Sequence, residues 1–147
     1  MKKIILVTAL LASISAQAVE LGINASSDMA NSDRTGYGLT IGEKFDKVGV
    51  TAGFDRYSTG VDLNKYTLMG SYDVTKVGTA TVAVKAGVAY LDQKNTKDGY
   101  AGLVGAGVSY PLNKQVALTG DYRYQAGQSR VSSLDGNTIS AGLKYSF

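Results

Sequence analysis

Eight charged side chains are the residues of this chain best placed to do chemistry, because all of them fall on one face of strand-like segments. The set comprises Glu20, Lys44, Asp55, Asp73, Lys85, Asp121, Arg123 and Lys144. Four are acidic and four are basic, and charges removed from water are tolerated when they are paired and hydrogen-bonded. We therefore predict a buried charge network. Glu20 and Lys144 are expected to pair near one end of the fold. Lys44 and Asp73 lie at a similar depth, and the other four lie nearer the middle and the opposite end.

Catalysis by this set is disfavoured by the residue types available. The sequence contains neither histidine nor cysteine, which removes the commonest general base, the thiol nucleophile and the usual zinc ligands. Ser140 and Lys144 share the charged face and could form a nucleophile and its base. Four residues of strand would separate them by roughly 13 Å, so they cannot touch. We expect no enzymatic activity, no metal ion and no cofactor.

The charged residues lie in segments where polar and apolar residues alternate with a period of two, which is typical of β-strands with one apolar face. Eight such strands are predicted at about 19–27, 36–45, 48–57, 65–74, 79–92, 99–112, 116–125 and 137–147. Each approaches or exceeds the roughly 9–11 residues that a tilted strand needs to cross a bilayer. One proline, 18 glycines and 10 tyrosines in 147 residues also favour strands over helices.

The connections between these strands alternate between short and long. Tight turns are predicted at 46–47, 75–78 and 113–115, and longer polar connections at 28–35, 58–64, 93–98 and 126–136. A strict alternation places every short turn at one end of the sheet. This connectivity predicts an all-β fold, an eight-stranded antiparallel up-and-down barrel.

Alternation alone does not decide which face points inward. In a soluble, lipocalin-like carrier the apolar face would line the interior, whereas in a transmembrane β-barrel it would contact lipid. The polar face here is made mostly of glycine, serine, threonine and alanine, and small side chains suit the narrow interior of an eight-stranded barrel. We therefore expect the polar face to line the lumen, and the soluble carrier is the alternative.

Aromatic residues support the membrane alternative, because they cluster at both ends of the apolar face. The predicted girdles are Tyr37, Tyr66, Tyr90, Tyr100 and Tyr124 beside the long connections, and Phe45, Tyr72, Tyr110, Tyr145 and Phe147 beside the short turns. Membrane barrels carry such girdles at both interfaces. Glu43 fits less well, since strict alternation sends it toward lipid. Either a bulge at Gly42 changes the register, or Glu43 reaches the interface, where a charge costs little.

The beginning of the chain has the features of an export signal. Two lysines precede an apolar run at 4–12, and Ala16-Gln17-Ala18 matches a small-residue cleavage site. We predict a cleaved signal peptide at 1–18 and a barrel at 19–147. Removal of Lys2 and Lys3 lowers the formal net charge from +3 to +1, and no clustered basic stripe points to nucleic acid.

The last strand carries the resemblance to a known family. Leu143, Tyr145 and Phe147 alternate up to a terminal aromatic residue, which resembles the C-terminal signature of bacterial outer-membrane proteins. Together with the export signal, the whole chain resembles the small Gram-negative outer-membrane barrels of the OmpA/OmpX/opacity type, reduced to the barrel alone. The resemblance implies export through the periplasm to the outer membrane. It also implies recognition of the last strand by the barrel-assembly machinery, and contact with outer-membrane lipid and lipopolysaccharide.

These observations predict a non-enzymatic structural or surface role for a monomer whose polar lumen is largely filled by side chains. One alternative is a narrow, low-conductance pore for ions or very small solutes, gated by rearrangement of ion pairs around Arg123. Another is adhesion or surface binding through the long connections. Within them Lys94, Lys97 and Arg130 either contact lipopolysaccharide phosphates or are simply solvated.

Overall fold

The computed structural model describes residues 19–29, 34–58, 62–93, 98–127 and 135–147. Its strands are β1 (Val19–Asp28), β2 (Arg34–Phe45), β3 (Val48–Tyr57), β4 (Leu63–Val77), β5 (Ala80–Gln93), β6 (Gly99–Pro111), β7 (Val116–Gly127) and β8 (Gly136–Ser146). The predicted signal peptide at 1–18 lies outside the described residues, as do Lys94, Lys97 and Arg130. Within the described ranges, no helix has the length and apolar character needed to cross a membrane.

The eight strands form a closed antiparallel barrel in which each strand pairs with its neighbours in sequence. β1 closes the barrel against β8 in a continuous register that runs from Glu20 opposite Ser146 to Asp28 opposite Thr138. Closure pairs the backbone of both end strands and leaves no open edge. The predicted fold class and connectivity are confirmed.

Short turns gather at one end of the barrel, here called the turn end, and the long connections at the other, the loop end. The turn between β2 and β3 has two residues, and Asp46 adopts a φ of 53°, which aspartate tolerates better than most residues. β4 runs three residues further than predicted, to Val77, so the next turn shortens to Gly78 and Thr79. Gly78 supplies the positive φ of 63° that this turn requires.

The register of β2 settles where Glu43 points. Glu43 pairs with Val19 on β1 and with Val50 on β3 without interruption, so the alternative of a bulge at Gly42 is wrong. The irregularity in the barrel lies instead between Asp73 and Thr75 of β4. Glu43 therefore follows strict alternation to the outer surface near the turn end, where its side chain is half-buried.

The loop-end half of the interior holds apolar side chains that the prediction of a polar lumen did not include, beside buried charged residues such as Asp55 and Arg123. Seven largely apolar side chains, here called the apolar plug, are buried there to 7% exposure or less: Tyr57, Leu63, Met69, Ala89, Leu91, Ala101 and Leu103. They pack as two clusters, one of which joins Tyr57, Leu63 and Leu91. The glycines, serines and threonines on which the polar prediction rested line mainly the turn-end half.

Candidate functional site

Three ion pairs line the turn-end half of the barrel interior. The Lys144 Nζ lies 2.8 Å from Glu20 Oε1, and the Lys44 Nζ lies 2.6 Å from Asp73 Oδ2. The third pair joins the Lys85 ammonium to the Asp121 carboxylate. All six side chains are between 17% and 30% exposed, so the pairs are half-buried and remain in reach of water.

The pairs differ in how far they reach around the barrel. Glu20 and Lys144 lie on β1 and β8, whose pairing closes the barrel. Lys85 on β5 reaches Asp121 on β7 across β6, and Gly107 lies beneath the pair. A Cβ at Gly107 would overlap the Asp121 carboxylate and approach the Lys85 Cε to 2.8 Å. The glycine therefore provides the space that this ion pair occupies.

Asp55 does not join the ion pairs of the turn-end half. It is 2% exposed, and its Oδ1 accepts a hydrogen bond of 3.1 Å from the Asn24 Nδ2. Its neighbour across the β3–β4 ladder is Lys65, which is also 2% exposed. Lys65 is missing from the predicted charge network, although it lies two residues from Thr67 on β4 and therefore shares its inner face.

Asp28 and Arg34 are two further buried charged residues that the sequence reasoning missed. They face each other across the β1–β2 ladder and are 6% and 8% exposed. Both fall in the predicted connection 28–35, so the predicted strands end before them. Extending the alternation of β1 and β2 toward the loop end would have placed both on the inner face.

Arg123 is the charged residue that spans the interior most directly. Its Nη2 donates a hydrogen bond of 3.1 Å to the Ser140 Oγ on β8, and its Nη1 lies 3.9 Å from the Met69 Sδ on β4. The side chain is 6% exposed, and its Nε has no hydrogen-bond partner among the described residues. The predicted central set is therefore split, since Asp121 pairs with Lys85 and the contacts of Arg123 are with neutral groups.

A cavity of about 130 Å³ occupies the turn-end half of the interior. The three ion pairs contribute to its wall, Met69 and Arg123 belong to its lining, and threonine and serine hydroxyls fill much of the remainder. The lining hydroxyl residues are Thr40, Thr51, Thr67, Ser71, Thr81, Ser109 and Thr119. Such a cavity has room for several water molecules with polar partners.

Ser140 and Lys144, which share the inner face, have different partners. Ser140 contacts Arg123, whereas Lys144 pairs with Glu20. In the part of the chain that the structure describes, no three histidine, cysteine, aspartate or glutamate residues are grouped so that they could hold a metal ion.

The predicted aromatic girdle residues lie on the outer surface. Toward the loop end Phe54, Tyr66, Tyr90 and Tyr100 follow one another across four strands, with ring centroids 5.2, 6.4 and 5.2 Å apart. Tyr66 and Tyr90 are half-buried, and the other girdle positions besides Tyr100 are exposed, namely Tyr37, Phe45, Tyr72, Tyr110, Tyr124, Tyr145 and Phe147. Tyr122 is also exposed on this surface and was not predicted.

The last strand presents the residues that carried the resemblance. Leu143, Tyr145 and Phe147 all point outward, and Phe147 is 71% exposed. The backbone N–H of Phe147 donates a hydrogen bond of 3.1 Å to the carbonyl of Val19. The end of the chain is thus held to β1, while its terminal ring remains available on the outer surface.

Comparison with known proteins places this fold among outer-membrane barrels. A family model described as YfaZ precursor matches residues 1–147. The N-terminal β-barrel domain of Pseudomonas aeruginosa OprF is similar with a TM-score of 0.77 at 20% identity, covering 89% of this chain and 98% of that one. Neisserial surface protein A gives 0.64 at 16% identity, covering 88% and 96%. Yersinia pestis Ail gives 0.60 at 14% identity, covering 89% and 99%.

These likenesses confirm, at the level of fold, the resemblance to small outer-membrane barrels. No curated protein matches the sequence. The identities are low, so the comparisons with solved structures bear on the architecture of the chain.

Proposed function

The chain belongs to the YfaZ precursor family, and from this membership and its barrel fold we propose that it is an exported outer-membrane protein of Gram-negative bacteria with a non-enzymatic structural or surface role. Residues 1–18 act as a cleaved signal peptide. The mature barrel spans the outer membrane, with the turn end toward the periplasm and the loop end toward the cell surface.

The apolar outer surface is the observation that carries this proposal. Ile23, Leu39 and Val104 lie on three different strands and are 57% to 60% exposed, although large apolar side chains in water favour burial by about 1.5–3 kcal/mol each. Contact with lipid removes that cost. A soluble carrier barrel would hold its apolar side chains inside, so this arrangement favours the membrane over the carrier.

The aromatic residues and the terminal strand are consistent with the same placement. Tyrosine rings suit the membrane interface because their hydroxyl groups can reach headgroups or water. We propose that the two predicted girdles lie at the two interfaces. We further propose that Leu143, Tyr145 and Phe147 form the signal read by the barrel-assembly machinery, because the outward terminal ring is accessible.

A lumen closed by the apolar plug favours a structural role over transport. Tyr57, Leu63 and Leu91 are each 1% or 2% exposed where the barrel approaches its loop end. Apolar constrictions oppose the passage of ions, because ions and the water that solvates them are expelled from such a constriction. In this proposal the open volume lies in the turn-end half, and the loop-end half is filled by the apolar plug together with the buried charged residues around it.

A narrow pore for ions or very small solutes is the second candidate, and the interior cavity is the observation that favours it. The cavity already covers the turn-end half of a conducting path. Opening would require movement of the plug near Met69, which the Arg123 side chain contacts. A gate at this position would couple the ion-pair network to the apolar plug.

Surface binding through the loop end is the third candidate. The similar protein Ail is the attachment invasion locus protein of Yersinia pestis, and long connections on a rigid scaffold often carry binding function. Removal of residues from the connection 126–136 should abolish binding to a surface ligand while the barrel still folds. Unchanged binding would show that the ligand contacts a part of the protein other than this connection.

Fractionation of expressing cells, combined with gel migration before and after heating, tests the membrane placement. We expect the mature protein in the outer-membrane fraction as a monomer that retains its barrel in detergent and changes migration when boiled. Recovery in the periplasmic fraction, as a protein whose gel migration is unaffected by heating, would contradict the proposal. It would favour the soluble, lipocalin-like carrier instead.

A further inference from the structure

The charged groups that the structure describes inside the barrel do not balance. The three half-buried ion pairs are neutral overall. Across the described strands, the other buried charged residues are Asp28, Arg34, Asp55, Lys65 and Arg123. These comprise two acidic and three basic residues, so the described interior has an excess of one positive charge.

The cross-strand register shows where this excess lies. Asp28 faces Arg34 across the β1–β2 ladder, and Asp55 faces Lys65 across the β3–β4 ladder. Arg123 has no acidic residue directly opposite, since its ladder neighbours are Gly105 and Thr138. The closest acidic residue along its own strand face is Asp121, whose Oδ1 is bound by Lys85.

Arg123 also has donor capacity that the described part of the protein leaves unused. Its Nε is buried without a hydrogen-bond partner, and its Nη1 is directed at a thioether sulfur, which is a weak acceptor. A buried charge in this condition is costly, because a medium of low dielectric replaces neither its hydration nor its hydrogen bonds.

The interior cavity adjoins this side chain. Its volume of about 130 Å³ exceeds the roughly 30 Å³ that one water molecule occupies in the liquid. Arg123 lines it together with hydroxyl donors such as Thr67 and Thr119. A positive group, neutral donors and available volume therefore occur together at one place.

We propose that this cavity is a binding site for a small monovalent anion, of the size of formate or chloride, held by the Arg123 guanidinium and the neighbouring hydroxyl groups. One negative charge balances the interior. Because guanidinium–anion hydrogen bonds are charge-assisted, they are stronger than those Arg123 makes to serine and methionine. The site requires only the folded barrel and is independent of whether the lumen conducts.

Formate is the probe for the first experiment, which uses protein purified in detergent micelles after growth on ¹⁵N-arginine. The Arg123 Nε–H resonance is assigned by its loss in Arg123→Gln. We expect this resonance to shift saturably as formate replaces gluconate at constant ionic strength, because the longer gluconate chain does not fit. The Arg56 resonance should stay unmoved, since Arg56 lies on the exposed outer face. Absence of a shift at Arg123, or one that grows linearly without saturating, would overturn the proposal.

Urea unfolding provides an independent readout, because a ligand that binds only the folded state raises the unfolding midpoint. The midpoint should rise with formate for the unsubstituted protein and for the control Arg56→Gln, and stay flat for Arg123→Gln. An equal rise in all three would mean a general salt effect and would overturn the site. Arg123→Lys, which keeps the charge, replaces Arg123→Gln if the latter does not fold, and it should show a weakened response.

Discussion

The Lys85 ammonium on β5 binds the Asp121 carboxylate on β7 across the intervening strand β6, directly over Gly107. The glycine leaves the volume that the two side chains fill. β5 and β7 are not hydrogen-bonded to each other, so this contact ties together two strands that the backbone ladder does not join. The Lys44–Asp73 pair joins β2 to β4 in the same way, and the Glu20–Lys144 pair joins β1 to β8, where the barrel closes.

Filling the space at Gly107 should therefore destabilise the barrel. In Gly107→Ala the new methyl group overlaps the Asp121 carboxylate, and we expect a loss of about 1–3 kcal/mol in the free energy of unfolding. Urea titration of the protein in lipid vesicles measures it. Gly120→Ala is the matched control, because nothing lies within 4 Å of a Cβ at that outward position. Equal losses of unfolding free energy in both variants would show that the Lys85–Asp121 pair does not need the space over Gly107.

A double-mutant cycle should reveal coupling between Lys85 and Asp121. Lys85→Met and Asp121→Leu each leave one charge unpaired inside the barrel, whereas the double variant removes both charges. We expect the double variant to be more stable than the sum of the single losses predicts, with a coupling of about 1–3 kcal/mol. Strict additivity of the unfolding free energies would mean that water in the cavity screens the pair.

Lysine substitutions on the outer surface should show whether that surface contacts lipid or water. Val104 is 57% exposed on β6 between the two predicted girdles, and Leu112 is 55% exposed beyond the turn end of the same strand. In lipid vesicles, we expect Val104→Lys to lower the free energy of unfolding by about 2–4 kcal/mol and Leu112→Lys to lower it by about 0–1 kcal/mol. This difference follows from the depth dependence of lipid-facing charges. Two costs near zero would indicate a surface that faces water.

The terminal aromatic residue should matter for assembly in cells more than for the stability of the barrel. Phe147→Ala removes an exposed ring while the backbone hydrogen bond to Val19 can remain. We expect less folded protein in the outer membrane and unchanged refolding from urea into vesicles. Val77→Ala, at a residue 67% exposed beside a turn, should leave both measurements unchanged. A refolding defect of Phe147→Ala alone would assign the ring a structural role.

The sequence was sufficient for the number, order and connectivity of the strands, because a period of two is a local property of each segment. Inner positions such as Glu20 and Lys144 followed from the same parity. The inner charges near the loop end were harder to predict. Lys65 and Arg34 lie at strand ends where alternation merges into polar connections.

The apolar plug could not have been predicted by the same rule. Leu63 and Leu91 point inward although alternation equates apolar residues with the outer face, because a narrow barrel also needs large side chains to fill its lumen. Pairing across non-adjacent strands, as for Lys44 with Asp73, depends on curvature and tilt. Strand periodicity carries no information on either quantity.

Single-channel recording in a planar bilayer tests the closed lumen most directly. The protein, shown by its gel migration to be folded and inserted, should give no discrete conductance steps if, as we propose, buried side chains such as Leu63 and Leu91 fill the loop-end half. The variant Leu63→Ala/Leu91→Ala, in which the plug is truncated, should conduct. Discrete steps of the same size from the unsubstituted protein would contradict the closed lumen and establish the narrow pore.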